Sequence, residues 1–272
     1  MLLALPLSDD EAILLTFSVI GWILTWIWWY WELRAGPMLR RERGPARALG
    51  LLPLAALGIL FLILKRWSSF DVQSSPAYLF QYVALGAAWL GVGLRFFPRF
   101  GISARDDVAE RSNLAAAVAL SGAILGLVLC YAGGNVGDGP GWWVVVFASG
   151  LATAGFFASW AAFESAAQPS DAVTIDRDLA AGARHASFSV AQGLVLGRAA
   201  AGDWRSAGAT LSDFVTNGWP ALVLLALAIS FERALRPTAA EPRRSLVVCG
   251  VVPGVVLLAA ALTWIARIGV GS

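Results

Sequence analysis

Eight apolar stretches of about twenty residues, separated by polar loops, run at 12–31, 48–64, 78–94, 114–131, 142–163, 179–197, 214–231 and 246–266. A hydrocarbon core roughly 30 Å thick is crossed by about 20 helical residues, so each stretch is predicted to be a transmembrane helix. Composition points the same way, because 58% of the 272 residues are hydrophobic and only 14% are charged. Soluble domains run nearer 45–50% apolar and about 25% charged, which rules out a water-soluble globule. The expected fold class is an all-α integral membrane bundle of about eight helices. Asp9, Asp10 and Glu11 stand where a signal peptide would carry basic residues, so the first stretch is expected to be retained.

Orientation is read from Lys and Arg in short loops. The loops after the first, third, fifth and seventh stretches hold fifteen: Arg34, Arg40, Arg41, Arg43 and Arg47; Arg95, Arg99, Arg105 and Arg111; Arg177 and Arg184; Arg233, Arg236, Arg243 and Arg244. The opposite side holds five, namely Lys65, Arg66, Arg198, Arg205 and Arg267. This bias predicts Arg-rich loops in the cytoplasm and both termini outside. Trp26, Trp28, Trp29, Tyr30 and Trp31 then form an aromatic belt at the cytoplasmic end of the first span, with Trp142 and Trp143 at the outer start of the fifth. Cys130 and Cys249 fall near opposite membrane surfaces in this frame, too far apart for a disulfide.

The chain also carries a short internal repeat. A shift of 65 positions lays Asp106, Val108, Ala115 and Ala116 on Asp171, Val173, Ala180 and Ala181, with Asn113 meeting Asp178. Each copy places an Asx residue before Leu-Ala-Ala, which reads as a helix N-cap opening a span. The run from Arg111 through Ser112, Asn113, the alanines of 115–117 and Ser121-Gly122 to Gly126 resembles the DUF350 family, small bacterial inner-membrane proteins built from tandem two-helix units. The second copy departs from that pattern, with Asp178 for Asn and with Arg184 and His185 in the apolar stretch. The resemblance covers residues 78–231. It implies a two-span N-terminal region over 1–77, a five-helix repeat region over 78–235 and a last span within 236–272. It implies no catalytic residues, and places the protein in a bacterial inner membrane.

Three GxxxG pairs lie within spans: Gly122/Gly126, Gly193/Gly197 and Gly250/Gly254. Small residues let helix backbones approach closely in lipid, so these are packing faces, with intramolecular contact and a homo-oligomer interface both open. Arg184 and His185 are the sharpest polar feature, since ionisable groups within a span are functional candidates by default. Arg184 lies about five residues in, near enough to the surface to snorkel, or to pair with Asp178, Glu164 or Asn113 inside the bundle. His185 is the sole histidine and is either a pH-sensitive group or a packing hydrogen bonder.

Mid-span positions carry no Asp or Glu, which argues against a proton-driven pump. They do carry Ser121, Thr153, Ser187, Ser189 and Gln192, groups able to line a passive path. At 100° per residue Arg184, Ser187 and Gln192 lie toward one face of the sixth helix, whereas Ser189 falls away. Pro53, Pro220 and Pro253 kink or open their helices. The glycines of 133–141 lack the Lys of a phosphate-binding loop and read as a turn. No Ser/His/Asp grouping or HExxH is present, so no enzyme, cofactor or metal is expected. Basic residues divided among short loops exclude a nucleic-acid surface. Membrane lipids are the expected partners, with a homo-oligomer and a cytoplasmic or membrane protein as further ones. The leading expectation is a non-enzymatic envelope component with Arg-rich docking loops. The alternative is a passive channel or facilitator beside the fourth and sixth spans, through Asn113, Ser121, Asp178, Arg184, His185, Ser187 and Gln192.

Overall fold

The computed structural model describes residues 7–34, 44–238 and 245–269. Every regular element among them is helical. In chain order these are α1 (Asp9–Glu32), α2 (Gly44–Trp67), the short α3 (Phe70–Ser74), α4 (Pro76–Leu94), a 3-10 turn (Phe97–Phe100), a π-helical turn (Ala104–Glu110), α5 (Leu114–Gly133) and α6 (Trp142–Ala167). After these come the short α7 (Pro169–Thr174), α8 (Leu179–Ala200), α9 (Ala207–Gly218), α10 (Pro220–Leu235), a second π-helical turn (Val247–Val251) and α11 (Val252–Ile268). Seven segments are long and apolar enough to cross a membrane: α1, α2, α4, α5, α6, α9 with α10, and the last π turn with α11. The chain is therefore a multi-pass membrane protein.

The predicted sixth span, 179–197, forms a helix but is not among those seven. Arg184, His185, Gln192 and Arg198 lower its hydropathy, and all four are buried against neighbouring helices. At 22 residues α8 reaches about 33 Å, long enough to cross. A helix wrapped by protein need not be apolar all round, because its polar groups meet side chains and carbonyls rather than lipid. The predicted seventh span divides at Trp219, since Pro220 starts α10 where its missing N–H costs nothing.

Helix directions follow from contacts at both ends. Tyr78 Oη donates to Glu11 at 3.2 Å, Trp142 Nε1 donates to Asp10 at 3.0 Å, and Trp26 Nε1 donates to the Ala87 carbonyl at 3.0 Å. Helices α1, α4 and α6 thus begin together, at what we term the upper end. Helices α2, α5, α8 and α11 begin at the lower end, where Tyr30 Oη donates to the Gly50 carbonyl at 3.1 Å. The outcome is a chain of helix pairs. First helices start at Asp9, Pro76, Trp142 and Ala207, 67, 66 and 65 residues apart; second helices start at Gly44, Leu114, Leu179 and Val247. The same up-and-down order of helices runs along the whole described chain.

The core lies between α5 and α8. No space remains for a Cβ at Gly122, Gly126 or Gly193: the backbone of Ala186 faces the first, that of Ser189 the second and that of Gly126 the third. Gly197 meets the Leu129 carbonyl in the same way. Gly250 lies on Ala180 and Gly254 on Ser187, which seats α11 against the other side of α8. All three GxxxG pairs are thus used within one chain.

Candidate functional site

The two caps at the lower end are the best place to begin, because their chemistry is local. Asn113 Oδ1 accepts from the backbone N–H of Ala115 and Ala116 at 3.0 and 3.2 Å, and the Asp178 carboxylate accepts from Ala180 and Ala181 at 3.2 and 3.0 Å. The residue before each cap is left-handed, Ser112 at φ 51° and Arg177 at φ 53°. Asn113 N–H reaches back to the Asp107 carbonyl, and Asp178 N–H to the Ala172 carbonyl, both at 2.9 Å. The 65-residue shift seen in the sequence is therefore also a backbone repeat.

The copies differ where Asn differs from Asp. Asn113 Nδ2 donates to the Val173 carbonyl of the second copy at 2.8 Å, crossing from one unit to the next. A carboxylate has no N–H to return that bond; Asp178 instead lies 3.9 Å from Arg184. Replacing Asn113 by Ala is expected to cost about 1 kcal/mol for the cap, plus the bond to Val173. Asn113→Asp keeps the cap but sets an acceptor-only carboxylate against the Val173 carbonyl at a buried site, so the thermal midpoints of both variants should fall below wild type. In the π turn beside this cap, Asp107 accepts from the Ser103 N–H at 2.8 Å and from Arg111 at 3.1 Å. Burial pushes its carboxyl above the ordinary value, against both of those donors.

Arg184 is 2% exposed, so it does not snorkel. Its Nε donates to Glu232 at 2.8 Å and a terminal nitrogen donates to the Cys249 carbonyl at 2.5 Å. Of the anticipated partners only Asp178 is near it. Glu164 bonds Ser170 instead, and Asn113 is committed to Val173. Glu232, 1% exposed, is the partner the sequence reading missed. It follows Ala221, Leu224 and Ala228 at helical spacing on the buried face of α10, and a lone carboxylate continuing a buried stripe was the available signal. The charges balance locally: Arg184 is matched by Glu232, while Asp178 is matched by the positive end of α8. One side chain thus pins the start of α8 to the end of α10 and to the π turn that precedes α11.

His185 is fully buried, stacked on Phe163 at 5.9 Å and edge-on to Trp160 at 4.9 Å. Neither ring nitrogen makes a hydrogen bond, nor do Trp160 Nε1 and Glu232 Oε1. Gln192 Nε2 donates to the Ala221 carbonyl at 2.7 Å. Ser121 Oγ donates to the Ala117 carbonyl of its own helix at 2.7 Å, and Ser187 rests on Gly254. Arg184, Ser187 and Gln192 do share the α10–α11 side of α8, but each meets a helix rather than a lumen. At the upper end Arg198 donates to the Gly269 and Ile268 carbonyls, fastening the end of α8 to the end of α11.

Cavities lie elsewhere. One of about 220 Å³ runs between α2 and α11 over Leu129, Gly133, Gly193 and Gly197. Another, of about 360 Å³, lies between α6, α9 and α10. A third, of about 800 Å³, opens at the lower end beside Arg34 and Arg47. None of these three is lined by Ser121, Arg184, His185, Ser187 or Gln192. Both cysteines are buried and free. Of the Arg-rich loops, Arg40, Arg41, Arg43, Arg243 and Arg244 lie outside the described residues. Described members stack on the aromatic belt: Arg95 over Trp28 at 5.0 Å and Arg105 over Trp31 at 5.3 Å. Comparison with known protein families, curated proteins and solved structures gives no match to this chain.

Proposed function

We propose that this chain is a non-enzymatic bacterial inner-membrane protein of eight spans, both termini outside, acting as a structural or partner-docking component of the envelope. The observation that carries the reading is the use of the interior polar groups. Arg184, Glu232, Gln192, Asn113 and Arg198 each make a bond that joins helices. A path for solutes needs some of these groups turned to water. The fifteen-to-five distribution of basic residues supports the lower end as cytoplasmic. The DUF350 resemblance rests on the sequence from Arg111 to Gly126.

Ion flux in proteoliposomes across pH 5 to 8 tests the role, with Arg184→Ala/His185→Ala beside the wild type. Flux equal to that of empty vesicles is expected; wild-type flux that the double variant alters would replace this reading with a channel. The span count has its own test in a Cys130→Ser/Cys249→Ser background. An impermeant maleimide should reach Ser206→Cys in intact cells and Asp176→Cys only after permeabilisation. These positions flank α8, so labelling of both from one side would sink the eight-span topology.

A further inference from the structure

We propose that the lower-end cavity between α1, α2 and the first π turn is a headgroup site for an anionic phospholipid. Tyr30, Leu33, Arg34, Arg47, Leu51 and Ala109 line it, and its volume is about 800 Å³. The lining combines two guanidiniums, of Arg34 and Arg47, with the apolar side chains of Leu33, Leu51 and Ala109. Arg34 and Arg47 are exposed, and neither makes a hydrogen bond or ion pair with an acidic side chain among the described residues. Glu110 is taken by Arg105 at 3.3 Å, and neither it nor Glu32 lines the cavity.

A basic cavity at headgroup depth selects a phosphate, and Arg does so with paired donors. Apolar side chains continue beyond the cavity. Leu51, Leu54 and Leu62 are exposed along α2, and nothing lies within 4 Å of a Cβ position at Gly58, which leaves a shallow notch among them. An acyl chain attached to the bound phosphate has that face to lie on. A free phosphate has no use for it, which is why we assign the occupant as a lipid. The position is also fixed: Tyr30 Oη bonds the Gly50 carbonyl and holds α1 to α2 at the mouth. The assignment rests on the lower end lying at a headgroup layer, and not on which side of the membrane that layer is.

The test uses the full-length protein in detergent, titrated with phosphatidylglycerol or with phosphatidylcholine and read by native mass spectrometry and thermal midpoint. Wild type is expected to retain phosphatidylglycerol preferentially. At about 1 kcal/mol per basic residue, Arg34→Ala or Arg47→Ala should weaken retention about fivefold and the pair about thirtyfold. Arg34→Lys/Arg47→Lys should keep most of it, and the lipid-free midpoint of every variant should match wild type, since both side chains are exposed. Equal retention of the two lipids, or retention indifferent to the Ala pair, would overturn the site. Inorganic phosphate that stabilises as well as the lipid would overturn the lipid assignment. The topology labelling above fails independently of all three.

Discussion

Arg184→Met should destabilise the bundle by about 3–5 kcal/mol, the largest single loss available from one side chain in α8. Removing one member of a buried ion pair leaves the other charge without a partner in a low dielectric, and that penalty exceeds the worth of the pair itself. Glu232 is 1% exposed and has no second cation among the described residues, so it would bear that cost. Arg184→Met also strands the Cys249 carbonyl, loosening the π turn that leads into the last helix. The double variant Arg184→Met/Glu232→Met should recover much of the loss, because two apolar side chains of similar volume replace the pair. A thermal midpoint and yield cycle over the four proteins measures this. Losses that simply add would mean the two groups do not interact, and the clamp would have to be abandoned. Glu232→Gln should fall between, since an amide still accepts from Arg184 while giving up the charge.

That cycle touches the part of the molecule least visible in its sequence. The position and length of the long helices are carried by hydrophobic run length and cap chemistry, both local, so α1, α2, α4, α5 and α6 could be placed from the residues alone, whereas the short α3, with too few residues for an apolar run, could not. Asn113 and Asp178 were legible because an Asx side chain before Leu-Ala-Ala has one common use. Arg184 was visible as an expense, but the group that meets that expense lies 48 residues on, in α10. Nothing local in α8 points to it. The predicted partners were drawn from the same end of the neighbouring loops, and only Asp178 was near. Likewise the first and last helix pairs carry no Asx-Leu-Ala-Ala signature. They share with the central pairs only helix spacing and direction, which become plain when the helices are laid side by side. The channel alternative rested on the hydroxyl and amide content of α5 and α8. That content is real, but Ser121 turns back onto its own helix and Gln192 onto α10.

The second large effect is steric and separates the glycines into two groups. Gly126 and Gly193 face each other's helices so closely that a methyl group on either would occupy the space of backbone atoms of the other chain segment. Backbone cannot swing aside as a side chain does, so α5 and α8 must separate along their length. Gly126→Ala and Gly193→Ala are each expected to cost about 1–3 kcal/mol, and Gly193→Val more, because two further carbons widen the gap. The loss should be felt beyond the contact, since α8 also carries α10 and α11 through Arg184, Gln192 and Gly254. Gly58 and Gly150 are the matched controls: each is helical, and no atom lies within 4 Å of the position a Cβ would take. Alanine there should leave the midpoint unchanged or raise it slightly, because alanine favours the helix over glycine. If all four substitutions behaved alike, glycine content would be a matter of helix propensity only. A loss confined to Gly126 and Gly193 that persists in dilute detergent, where chains are single, is the result expected of a contact inside one molecule; a loss that vanished on dilution would overturn the α5–α8 contact as the source of the effect.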